Sequence, residues 1–153
     1  MMRWEKGRAE IDGMIGKREI ERVAPSRQAA DEFLATARLN VTDAAHINSH
    51  NPRGAYCLLY DAARFALAAI LENEGLRATS RGGHVAVYEA VLAQLHPPMG
   101  PKIKPFDAMR RRRNNIEYSS GVELASADVE DDLPAVQAII ELASGVLDGM
   151  SPY

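Results

Sequence analysis

The chain has 153 residues, 46% hydrophobic and 25% charged, with a formal net charge of −3 and one cysteine. That length supports one domain, 1–153, with a single core. The mildly acidic balance excludes a general nucleic-acid coat, the lone cysteine excludes an internal disulfide, and no run nears the roughly 18 uninterrupted apolar residues of a membrane span. The N-terminus "MMRWEKGRAEIDG" lacks the apolar stretch of a secretory signal, so a cytoplasmic protein without a membrane segment is expected.

Trp4, Ile11, Ile15 and Ile20 recur at roughly helical spacing, although Gly7, Gly13 and Gly16 each weaken an isolated helix by about 1 kcal/mol. "VAPSRQAADEFLATARLNVTDAAHI" follows, with Ser26 as N-cap and Ala30, Phe33, Leu34, Ala37, Val41, Ala44 and Ala45 at steps of three and four. The break "HNPRG" precedes "AYCLLYDAARFALAAILENEG", a helix apolar nearly all round and therefore central, with Gly75 as its C-terminal cap. Cys57 lies in this pattern and is expected to be a buried, inert thiol.

"LRATSRGG" reads as a polar loop, and Val85, Tyr88, Val91, Leu92 and Leu95 mark a shorter amphipathic helix. The prolines of "HPPMGPKIKP" predict a rigid, extended connector. Phe106 opens a helix through four consecutive arginines that ends near "YSSG", and the last helix runs on Leu133, Val136, Ile139, Ile140, Ala143, Val146 and Leu147, with Pro134 expected in its first turn. No strand alternation or internal repeat is evident. The expected fold is all-α, an up-and-down bundle of five to six helices.

Within "MRRRRNNIEYSS", the apolar stripe is Phe106, Met109 and Ile116, and Arg113 completes its spacing, whereas Arg111 and Arg112 splay outward. A charge at a core-facing position needs a partner. Arg113 either pairs with Glu117 at i, i+4 or holds an anion, in which case Arg110, Arg112, Lys102 and Lys104 extend the positive patch. Asp61 and Arg64 form a second polar pair, three apart on the central helix, that either satisfies itself or orients Arg113. His84, after Gly82 and Gly83, opens a helix as a general-base candidate or as a capping histidine. His46 and His50 have the spacing of a metal pair but no third ligand, and His96 before two prolines carries no function. No phosphate-binding glycine loop, zinc cysteine set or dinucleotide fingerprint is present, so neither a metal nor a cofactor is expected.

The apolar central helix "AYCLLYDAARFALAAIL", the short "GGHVAVYEAVLAQL" helix and the late Arg113-Asn114-Asn115-Ile116-Glu117-Tyr118 motif together resemble the HEPN superfamily. From "RWEKGRAEIDGMI" to the final helix the pattern is similar to bacterial HEPN proteins. Members carry an Arg-polar-x3-His motif; Arg113 and Asn114 match it, and Tyr118 stands in the histidine position. The resemblance implies a helical homodimer that brings two motif copies together, and it implies RNA as the ligand. In active members it implies metal-independent RNA cleavage, often as a toxin encoded beside a small nucleotidyltransferase-type antitoxin. Other members bind RNA or nucleotides without catalysis. By this resemblance Arg113, Asn114 and Tyr118 form the catalytic motif. A tyrosine of ordinary pKa is only about 0.1% ionised at pH 7, so Tyr118 suits hydrogen bonding to a phosphate, weak acid chemistry or base stacking better than proton abstraction.

Overall fold

A computed structural model describes residues 4–119, 121 and 123–153; Arg3 of the N-terminal pattern and Ser120 of the motif stretch lie outside them. Ser26 marks the first strong boundary. Its side-chain oxygen accepts from the Ala29 N–H at 3.0 Å and starts helix α2, Arg27–Ile47. Before it come helix α1, Arg8–Gly16, and a strand β1, Ile20–Arg22. Asn51 caps helix α3, Pro52–Glu74, through the Gly54 N–H at 3.0 Å, and Pro52 sits in the first turn, where its missing N–H costs nothing. Gly75, at φ 90°, ends α3 in the left-handed conformation that a glycine adopts without strain.

Strand β2, Leu76–Ala78, helix α4, Gly83–Leu95, a single turn α5, Gly100–Ile103, helix α6, Pro105–Tyr118, and helix α7, Ser126–Val146, complete the order. The fold is an all-α bundle, as expected, with α3 at its centre. Ala55, Leu59, Ala63, Ala66, Leu67 and Ile70 of α3 are fully buried, and the alanines among them let α2 and α7 pack closely against it. α3 is long and apolar enough to cross a membrane by length and composition, but 61% of its most apolar window is covered inside the bundle. Reciprocal bonds, Asn48 Nδ2 to the Ser126 carbonyl at 3.1 Å and Ser126 Oγ to the Asn48 carbonyl at 2.8 Å, tie the end of α2 to the start of α7.

Four local expectations are corrected. Ile20 leaves the first helix for β1, and part of the "LRATSRGG" loop is β2; the two pair antiparallel with Ile20 opposite Ala78. Strands of three residues are too short for alternation to be read from sequence. The proline-rich connector contains α5, because Pro101 falls in the first turn of that short helix, where proline is tolerated. Pro134 lies well inside α7, since Asp128 accepts from the Ala125 N–H at 2.9 Å and starts the helix earlier. Pro134 and Glu130 are both exposed, so water can serve the Glu130 carbonyl that loses its donor. Finally, Cys57 is half-buried, and burial pushes its thiol pKa up, which keeps it protonated and unreactive.

Candidate functional site

α6 follows the phase read from its sequence: Phe106, Met109 and Ile116 are buried against α3. Arg113 lies on the same side with its side chain 24% exposed, but Arg110, one turn earlier, is equally sheltered at 21%. Arg113 is therefore not the one inward arginine. Residues three apart share a helix face, and the Asp107 carboxylate accepts from Nε and an Nη of Arg110 at 3.1 and 2.9 Å, which keeps that guanidinium low on the surface. Arg111, 72% exposed, reaches the same Asp107 at 2.8 Å. Arg112 turns the other way, over the Tyr56 ring at 5.9 Å, with Asp132 and Asp128 at 3.6 and 3.7 Å.

The inward arginines meet a tyrosine that sequence reading treated only as core. Tyr60 of α3 is fully buried, stacks on Phe106 at 5.2 Å, and lies 5.9 Å from the Arg113 guanidinium carbon. Its hydroxyl is 2.8 Å from His84 Nδ1. Arg64, one turn along α3, pairs with Asp61 at 3.3 Å and lies over the Phe65 ring at 4.5 Å. The Asp61–Arg64 pair thus satisfies itself, and Asp61 makes no ion pair with Arg113. The signal for Tyr60 was available: a tyrosine on the most buried face of a core helix must find a partner for its hydroxyl.

Charges and protons in this cluster are interdependent. Burial, and then the cationic Arg64, Arg110 and Arg113, act on Tyr60 in opposite senses, and burial wins, pushing its pKa up to about 12. The phenol therefore keeps its proton. His84 has its pKa lowered, first by burial and then by Arg64 and Arg113, so it is neutral at pH 7. Since His84 Nδ1 is the hydrogen-bond partner of the Tyr60 hydroxyl, a protonated phenol donates to Nδ1 and leaves the ring proton on Nε2. His84 is then left with an Nε2–H to donate.

Both arginines have donors to spare. Arg113 meets Glu117 only at 3.7 Å, and its Nε is buried without a partner; the Nε of Arg64 is buried and unpartnered too. A guanidinium has five N–H donors, so each can still bind an anion. Asn114 is half-buried beside Arg113. Tyr118, the last residue of α6, is 80% exposed, and five residues of helical rotation take it away from the Arg113 face. Lys104 caps the far end of α6 and Lys102 faces a separate groove with Glu141 between α5 and α7, so neither lysine joins the cluster. His46 and His50 are exposed, and no metal-ligand group occurs among the described residues.

The structure thus brings together Arg64, Arg110, Arg113, Asp61, Glu117 and His84 around Tyr60, and leaves Tyr118, Arg112, Lys102 and Lys104 outside. No protein-family model, curated protein or solved structure matches this chain, so the functional reading rests on this geometry and on the motif.

Proposed function

We propose that this protein is an RNA-binding module of HEPN type that holds a backbone phosphate on Arg113, with Arg64, Arg110 and the Nε2–H of His84 around it. What supports the reading is two partly exposed guanidinium groups, Arg64 and Arg113, gathered near the Tyr60–His84 bond, each with N–H donors that its one long carboxylate contact leaves unused. A phosphate offers these guanidinium groups the close, charged acceptor that Asp61 and Glu117, at 3.3 and 3.7 Å, do not. Asn114 adds a neutral donor beside Arg113. With the HEPN reading come a cytoplasmic homodimer and, as a partner, a small nucleotidyltransferase-type antitoxin.

Anisotropy titration of a short single-stranded RNA tests the proposal. Arg113→Ala is expected to weaken binding by at least tenfold, in line with loss of a charge-assisted phosphate contact. Arg111→Ala, at an exposed arginine outside the cluster, should change affinity less than twofold. Equal affinity of the wild type and Arg113→Ala would remove the reading.

A second reading, metal-independent ribonuclease activity of the toxin type, draws on one observation: a histidine and an arginine stand together as a cutting site requires, with the histidine supplied by α4 rather than by the Tyr118 position. It needs the Nε2 of His84 unprotonated, the opposite tautomer from the one that the Tyr60 proton imposes. RNA cut by the wild type and left intact by His84→Gln would establish it over the binding module.

A further inference from the structure

A cavity of about 370 Å³ opens between α2, α3, β2 and the start of α4. Its walls are largely apolar, with Phe33, Leu71, Leu76 and Val87 among them, while Arg64 and His84 line it as well. These last two are also members of the Tyr60 cluster, so the cavity and the arginine site share a border. Arg77 and Glu72 also line it, and they neutralise one another through bonds of 2.7 and 3.3 Å. Arg64 gives Asp61 one long contact of 3.3 Å and so keeps further N–H donors on this side. Apolar walls with a polar, cationic edge suit a flat aromatic ring carrying an anion, and the volume falls at the lower end of the range for small-molecule sites.

We propose that this cavity is a nucleotide subsite: it takes the base of the nucleotide whose phosphate lies on Arg64 and Arg113. The inference rests on the RNA reading above and adds to it a specific seat for one base. Phe33, which packs against Phe65 at 5.7 Å between ring centres, supplies the aromatic wall. Ser80, exposed on the rim, supplies the polar edge. The arginine cluster by itself predicts binding that ignores the bases, whereas a base seat predicts that an oligomer stripped of bases binds worse.

The test compares a short single-stranded RNA with the same oligomer made abasic, by anisotropy, on wild type, Ala68→Phe and Ser80→Trp. Ala68 lines the cavity, and a phenyl group there fills it; Ser80→Trp closes the mouth from the exposed rim without touching the core. Circular dichroism melting confirms that each variant is folded. The wild type is expected to prefer the RNA over the abasic oligomer by about tenfold, and each folded variant should lose that preference while binding the abasic oligomer as before. A wild type with no preference, or a folded variant that keeps it, overturns the subsite. A panel of nucleoside monophosphates separates its failure from that of the RNA reading. If wild type binds a monophosphate but no RNA, and Ser80→Trp does not bind it, the subsite stands and the RNA reading falls. Wild type that binds neither overturns both.

Discussion

A single proton, the one between Tyr60 and His84, decides what the cluster can do. Burial keeps it covalently on the phenol, the phenol donates it as a hydrogen bond to Nδ1, and the imidazole is left with its own proton on Nε2. His84→Leu removes that donor while leaving the Tyr60 ring stacked on Phe106. RNA affinity is expected to fall roughly fivefold, the loss of about one hydrogen bond, when titrated at pH 7; an unchanged affinity would show that His84 does not face the phosphate. The pH dependence has a defined sign. His84 is neutral at pH 7 because its pKa is lowered from 6.5, so it gains positive charge only as the pH falls below that value, and wild-type affinity should rise there while staying flat from pH 7 to 8.

At the scale of elements, the α3–α4 contact carries a second titrating pair. Glu74, the last residue of α3, is 1% exposed and accepts from Gln94 Nε2 of α4 at 2.7 Å. Glu74 Oε2 and Gln94 Oε1 are both buried without partners, two acceptors that a protonated carboxyl would relieve. Burial pushes the Glu74 pKa from its ordinary 4.5 up to about 8. With the folded value above the unfolded one, stability is full below about pH 4.5 and falls as the pH rises toward 8, by an amount on the order of a few kcal/mol. Glu74→Gln should flatten this slope, so that thermal midpoints of the variant and wild type diverge in the variant's favour between pH 5 and 9. Parallel curves would contradict the assignment. Elements were legible where chain-local chemistry sets them: Ser26 at a helix start, Gly75 at a helix end, and the apolar stripe of α6 all came from neighbours in sequence. β1 and β2 were not, because their pairing joins segments more than fifty residues apart and each is too short to show a period.

For the molecule as a whole, the helical bundle was legible, since one helix apolar all round can only sit at a centre, but the site was legible only in part. Arg113, Arg64, Asp61 and His84 were each visible as residues with something to answer for; that α3, α4 and α6 carry them to one tyrosine depends on packing between helices, which spacing along one helix does not contain. The same packing leaves Tyr118 on the outside, away from this chain's own Arg113. We place the RNA phosphate of the proposed function where Arg64, Arg113 and His84 converge. Nitrogen-15 NMR of the His84 ring at pH 7, recorded while RNA is added, tests it most directly. A neutral imidazole with its proton on Nε2 is expected, and an Nε2–H signal that shifts as the RNA saturates the protein and does not shift in Arg113→Ala. A His84 ring whose signals stay fixed at saturating RNA would contradict it.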